Sequence, residues 1–542
     1  MFLFVKPLPR KIGAACISLL FPAFALADDA DLPCALQHGA VESGKADWGH
    51  WGTDAHKYSN WQSHSNRLIP IYSFGCELDS VAGANSVYRS EEKLRALYGR
   101  VPEATLNPQA EYFDQTDVYQ LQKKAAESGK KRIILFVFDG MDWFSTWAAA
   151  IHQAGKVEYR EGRGAGLAFQ DYRGAPTDFG YFVTSPNNDG TDCDVDAQVL
   201  KNPGGVTPGG YDWQRAGETP WAKASDVEYP IGKSLQRKQA YTDSAASATS
   251  MTSGVKTYND SINVDPQGRQ VAPIARLLQE RGLAVGVVTS VPISHATPAA
   301  AYANNVHRDD YQDLTRDLVG LPSVAHRAMP LPGVDVLLGA GWGKDAKTAK
   351  GQGANFVPGN TYITDADLAK INVSEGGRYR VVQRQHGVDG RRALARAARD
   401  AAEKNERLFG FFGVTGGHLP FRTANGDFQP TDSVKAKAEK YTPADIAENP
   451  TLADMSEAAL EVLARNERGF WLMIEAGDVD WANHKNNIDD SIGAVLSGDE
   501  AFTAVVEWIE RHGGWSDTAL FLTADHGHYF FLDKPERLVV KE

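Results

Sequence analysis

A chain of 542 residues with 42% apolar and 23% charged residues has the balance of a folded, water-facing protein, long enough for one large domain or several smaller ones. Its formal net charge of −13 argues against nucleic acid and anionic membranes as partners. An acidic protein that handles anions needs a local positive charge to hold them.

The chain opens like a secretory leader. Lys6, Arg10 and Lys11 precede an apolar run from Ile12 to Phe21 and the small-residue site Ala25-Leu26-Ala27. The run is too short to span a bilayer comfortably, and no stop-transfer pattern follows. Residues 1–27 are therefore expected to be a cleaved signal peptide. Cleavage would take the net charge from −13 to −16 and leave a periplasmic or secreted protein with no membrane attachment. Cys34, Cys76 and Cys193 remain, enough for one disulfide and one spare thiol, with the pairing open.

Residues 28–130 are irregular and aromatic-rich, with Trp48, Trp51, Tyr58 and Tyr72 and short helical patterns over 91–98 and 117–126. They read as an accessory region packed on a catalytic domain spanning 131–542. In that domain, apolar runs at 132–138, 283–289, 334–338, 408–414, 470–474 and 519–523 read as buried strands. Amphipathic helical patterns fall at 271–281, 391–405, 452–466 and 499–511. This alternation predicts an α/β fold, a mostly parallel sheet covered on both faces. The stretch 176–232 is rich in Gly, Pro and Asn without periodicity and reads as a long loop insertion, a candidate cover for a site. Within it Asp192, Asp194 and Asp196 have the spacing of a Ca²⁺ loop. They lack its turn glycine and closing glutamate, and so read as a solvated acidic loop.

Open parallel sheets bind ligands beyond the carboxyl ends of their strands, so the residues ending each apolar run are the first candidates. The run at 132–138 is followed by Asp139-Gly-Met. The run at 519–523 leads into Asp525-His526-Gly-His528, and that at 470–474 into Glu475, then Asp480 and His484. Asp480 and His484 share a face if their segment is helical. A lone aspartate after a strand is usually a helix cap; three strand ends bearing oxygen and nitrogen donors point to metal, with Asp/His sets suiting Zn²⁺ and oxygen sets Mg²⁺. In Tyr241-Thr-Asp-Ser-Ala-Ala-Ser-Ala-Thr, Asp243 precedes Ser244 at the start of an Ala-rich helix. Capping accounts for one polar residue there; the functional reading puts the Ser244 hydroxyl at the positive end of a helix, where phosphate binds. No G-x-S-x-G elbow surrounds it, so a metal is the better activator than a triad.

Together these residues resemble the alkaline phosphatase family, through Thr242-Asp-Ser-Ala-Ala-Ser-Ala-Thr249 above all. The resemblance covers about 131–529 and implies a three-layer α/β/α sandwich with a large, mostly parallel central sheet and insertions, one of them variable at about 309–460. It implies a phosphomonoesterase with a phosphoserine intermediate, two Zn²⁺ and one Mg²⁺. Ser244 would be the nucleophile and Arg308 the phosphate clamp. Asp139 would bridge the second zinc and magnesium. Asp525 and His526 would hold the second zinc, Asp480 and His484 the first, and Glu475 with Thr297 the magnesium. His528 would orient a first-zinc carboxylate from behind. His295 and Trp481 stand near the metals where other members carry Asp and Lys. Small phosphate monoesters are the expected substrates, with a homodimer the assembly left open.

One departure matters more. The family's first zinc takes a further histidine from beyond the Asp-His-x-His stretch, and this sequence has no histidine after His528. His418 and His307 are substitutes in principle, though both read as core or loop histidines. A truncated or decayed relative that binds metal or phosphate without turnover is therefore the alternative expectation. A phosphodiesterase or sulfatase on the same scaffold is the other.

Overall fold

The computed structural model describes residues 31–60, 64–188, 190–205, 209–229 and 241–539; the leader reading over 1–27 lies outside them. Ten strands form the central sheet: β1 (Ile69–Phe74), β2 (Phe113–Asp114), β3 (Arg132–Phe138), β4 (Thr177–Val183), β5 (Ala284–Pro292), β6 (Val336–Ala340), β7 (Tyr379–Gln383), β8 (Arg407–Phe411), β9 (Phe470–Ala476) and β10 (Thr518–Thr523). Their order across the sheet is β7-β8-β6-β5-β9-β3-β10-β1-β4-β2. From β7 to β10 every pairing is parallel; β1 runs antiparallel to both β10 and β4. The central strands are continuous apolar runs because both their faces are covered: β3, β5, β9 and β10 are buried almost throughout.

Helices flank the sheet. α1 (Trp143–Ala154), α2 (Gly390–Lys404), α3 (Leu452–Leu463) and the long α4 (Ile488–Arg511) pack on one another, α3 and α4 most extensively. The ends of these helices are fixed by local chemistry. Asp142 accepts hydrogen bonds from the amides of Phe144 and Ser145 to start α1, and a Thr451/Asp454 capping box starts α3. Asn405, at φ 56°, ends α2 in the left-handed region that asparagine tolerates.

The α/β architecture and the parallel sheet are as expected, and the structure redraws three regions. Residues 28–130 do more than pack on the domain, since β1 and β2 are members of its sheet. Residues 309–460 supply β6, β7 and β8, the parallel strands at one side. Residues 177–183 of the expected loop are β4, whose half-buried Thr-Asp-Phe-Gly-Tyr-Phe-Val run is masked by its Gly- and Pro-rich surroundings. Further along the same stretch, Tyr211 and Tyr229 join Tyr88, Tyr98 and Tyr112 in a second small core. Asp194 accepts from the amide of Ala197 and Asp196 from that of Ala354, while Asp192 faces Lys201, so the three carboxylates serve separate partners. Cys34, Cys76 and Cys193 are all free, so the one disulfide that their number permits is not formed among them.

Candidate active site

Four adjacent strands, β5, β9, β3 and β10, deliver the candidate residues from their carboxyl ends. Asp139 directly follows β3, Glu475 is the next-to-last residue of β9, and Asp525 and His526 follow β10. His295 and Thr297 follow β5, the latter on the short helix Ala296–Ala300. Asp480 and His484 lie on the helix Asp478–His484 that leaves β9, four residues apart and hence on one face.

Ser244 is the first residue of the helix Ser244–Ser253, which is buried over its full length. A helix of Ser, Thr and Ala can be buried because its hydroxyls bond back to its own carbonyls: Ser250 to Ala246 at 2.8 Å, Thr252 to Ala248 at 2.8 Å and Ser253 to Thr249 at 2.6 Å. Ser247 donates to the carbonyl of Asp525 and ties the helix to the end of β10. Asp243 caps the helix by accepting the amide of Ala246 (2.9 Å) with one oxygen; the other accepts from Arg308 Nη1 (2.9 Å) and from the amide of Asp260 (3.0 Å). The residue before the serine thus also aims the arginine.

The candidate metal ligands converge behind Ser244. Its Oγ is 3.2 Å from His526 Nε2. His526 Nε2 lies 3.3 Å from Asp139 Oδ1 and 3.5 Å from Asp525 Oδ2. Asp525 Oδ1 accepts the amide of Gly140 at 2.9 Å, which brings the ends of β3 and β10 together. Asp480 Oδ1 is 2.7 Å from His528 Nε2 and 3.4 Å from His484 Nε2. Glu475 accepts the hydroxyl of Thr289 through Oε2. His295, Asp139 and Glu475 bring ligand atoms within 4.8 Å of one another, and so do Asp139, Asp525 and His526.

These residues fit metal ions. Both oxygens of Asp139, Oε1 of Glu475 and Oδ2 of Asp525 are buried with no hydrogen-bond donor, an expensive arrangement unless a cation takes the vacant lone pairs. Burial, and then the carboxylates of Asp525, Asp480 and Glu475, push the Asp139 carboxyl well above its usual range. Arg308, which lines the cavity beside Ser244, is paired with Asp243 at 2.9 Å.

A residue that sequence reasoning missed also lies here. His64 places Nε2 3.1 Å from His484 Nε2 and 3.6 Å from Asp480 Oδ1, and its ring stacks on His526 with centroids 3.6 Å apart. With Asp480, His526 and His528 it forms a further group of potential ligands within 4.8 Å. Nothing in the sequence around His64 has ligand spacing; the pairing of His64–Ser65 with Gly527–His528 carries it to the site. His418 and His307 are not at this cluster: the first faces Glu439 at 2.8 Å and stacks on Phe421, the second lies between Asp260 and Asp309.

A cavity of about 460 Å³ opens over the cluster, lined by Ser244, Arg308, His295, Trp481, His484 and Lys435 among others. Such a volume suits a small ligand.

The alkaline phosphatase family profile matches residues 224–536, more than half of the chain; Asp139 and His64 lie ahead of that match. An alkaline phosphatase of Escherichia coli K12 is 29% identical over 308 residues, 56% of this chain and 61% of that protein. Alkaline phosphatase H of Pseudomonas aeruginosa is 31% identical over 326 residues, 57% of this chain and 62% of that protein. The matched stretch is thus about three fifths of these relatives' length. A crystal structure of a cold-active alkaline phosphatase from Shewanella sp. aligns with 73% of this chain and 68% of its own at 21% identity, with a TM-score of 0.42. The profile match holds Ser244, Arg308, Asp480 and His484, which line the cavity, and Glu475, Asp525 and His526 as well, and the chain belongs to the alkaline phosphatase family.

Proposed function

We propose that the protein is a phosphomonoesterase that transfers the phosphoryl group of a small ester to Ser244 and then to water. The observation that carries the reading is the Ser244 hydroxyl, at the N-terminus of a buried helix, 3.2 Å from His526 and in one cavity with Arg308. The helix end favours anionic oxygens. Arg308, held by Asp243, offers its guanidinium fork to the phosphoryl oxygens that carry charge in the transition state. A phosphoryl transfer asks for positioning more than for covalent chemistry, and the buried frame around Ser244 supplies it.

Asp480 and His484 would hold a first zinc, Asp139, Asp525 and His526 a second, and Glu475 with Asp139, Thr297 and His295 a magnesium. Bound there, the ions would ease deprotonation of the attacking hydroxyl and offset charge on the departing oxygen. His528 holds Asp480 in place through the 2.7 Å contact, and Trp481 walls the cavity where a substrate's leaving group would lie. The leader-like start of the chain supports export to the periplasm or beyond it.

The test is hydrolysis of an aryl phosphate at alkaline pH by the zinc- and magnesium-loaded protein, beside Ser244→Ala. The reading expects turnover that the variant loses by at least about 10³-fold while keeping its metal content. Absence of turnover in the fully loaded protein, or equal turnover in the variant, would refute it.

A further inference from the structure

In the two-metal reading Asp480 and His484 would hold the first zinc, and the following inference rests on that reading. His64 begins the two-residue strand His64–Ser65, antiparallel to Gly527–His528, and stands directly opposite His528. Its Nδ1 is 2.9 Å from the carbonyl oxygen of Thr242. A carbonyl only accepts, so Nδ1 carries the ring proton and Nε2 presents a lone pair. That lone pair faces His484 Nε2 at 3.1 Å and Asp480 Oδ1 at 3.6 Å, and Asp480 Oδ1 is itself 3.4 Å from His484 Nε2. Three donor atoms so spaced match corners of a tetrahedron around one ion, whose edges are about 3.3 Å for zinc–nitrogen bonds near 2.0–2.1 Å.

We propose that His64 is the third protein ligand, with Asp480 and His484, of the first metal ion. This ligand comes from ahead of the nucleophile in sequence, on the strand paired with Gly527–His528. The backbone around His64 is held without any metal. Arg67 Nη1 donates to the carbonyl of Phe530 at 2.7 Å, and its guanidinium lies 4.4 Å from the ring of Phe531 and 4.7 Å from that of Tyr529. Trp51 stacks on Phe530 with centroids 4.5 Å apart. The carbonyl of Thr242, two residues before the nucleophile, fixes the ring's rotation, an outer hydrogen bond of the kind that orients metal-bound histidines.

The experiment counts zinc per chain after gel filtration in the wild type, His64→Ala, His64→Asn and His484→Ala. The asparagine variant retains an N–H for Thr242 and separates ligand loss from loss of that bond. The inference expects the wild type to hold two zinc ions tightly and each variant to lose one. The lost site should weaken by more than the ~10–100-fold that outer-sphere changes cost. With cobalt(II) in place of zinc, both His64 variants should lose the same visible absorption band as His484→Ala. If both His64 variants keep both zinc ions at wild-type affinity while His484→Ala loses one, the inference is wrong. Turnover is measured separately. A wild type that binds two zinc ions through His64 yet hydrolyses no ester refutes the phosphatase reading alone, whereas full zinc and full turnover in the His64 variants refute this one alone. A wild type that binds no zinc refutes both.

Discussion

Gly140 shows how closely single residues are fitted behind the nucleophile. It sits at φ +69°, and a Cβ there would lie 2.7 Å from His528 Nε2 and 3.1 Å from Asp480 Oδ1. Gly140→Ala therefore meets a left-handed backbone cost of about 1–2 kcal/mol and also displaces His528 and Asp480, the pair at the proposed first metal site. The expected result is a lowered Tm together with loss of one zinc per chain, measured by thermal melting and metal analysis. Unchanged zinc content would show that the two neighbours can move aside. Asp139, Glu475, Asp480, His484, Asp525 and His526 were legible as candidates because each lies at or just beyond the end of an apolar run, so position along the chain reported position in the sheet. His64 was not legible: it is brought in by a two-residue pairing with a stretch far along the chain, which leaves no local pattern.

The helix Ser244–Ser253 joins two functions in its cap. Asp243 satisfies an amide at the helix start and anchors Arg308 with its second oxygen. Asn caps about as well as Asp but lacks the charge. Asp243→Asn should thus keep the Tm within a few degrees while loosening Arg308. Because a charge-assisted hydrogen bond contributes roughly 1.5–3 kcal/mol, inhibition by inorganic phosphate should weaken about ten-fold or more. Undiminished phosphate inhibition would show that Arg308 is aimed by something else. At this scale the central strands and the helices α2 and α3 were readable to within a few residues, because burial on both faces or on one stripe imposes a strong pattern. β4 and β7, half-buried near the sides of the sheet, carry a weak one. β1 is fully buried but lies in an aromatic-rich stretch whose texture hid it.

Over the whole molecule, buried acids outside the candidate metal cluster set a pH response. Burial, and then the neighbouring Asp313, hold the Asp310 carboxyl up to about 8. Burial and Asp489 do the same for Asp490, also to about 8. A carboxyl whose folded pKa is raised favours the folded state most below its unfolded value near 4, and that advantage is lost as pH climbs to the folded value. Stability should therefore decline from about pH 4 to pH 8 through these groups and level off above. Asp310→Asn, which can still accept the 2.8 Å bond from Asn305, should raise the Tm at pH 9 and change it little at pH 4.5. Equal shifts at the two pH values would assign the effect to packing. The arrangement of β1 between β10 and β4 has a temporal consequence. Arg67 and its partner Phe530 are 463 residues apart, so during synthesis the segment carrying β1 leaves the ribosome long before the strand it must join exists. The seam between β1 and β10 therefore closes late, and until that moment β1, able to pair with β4, keeps its other edge open.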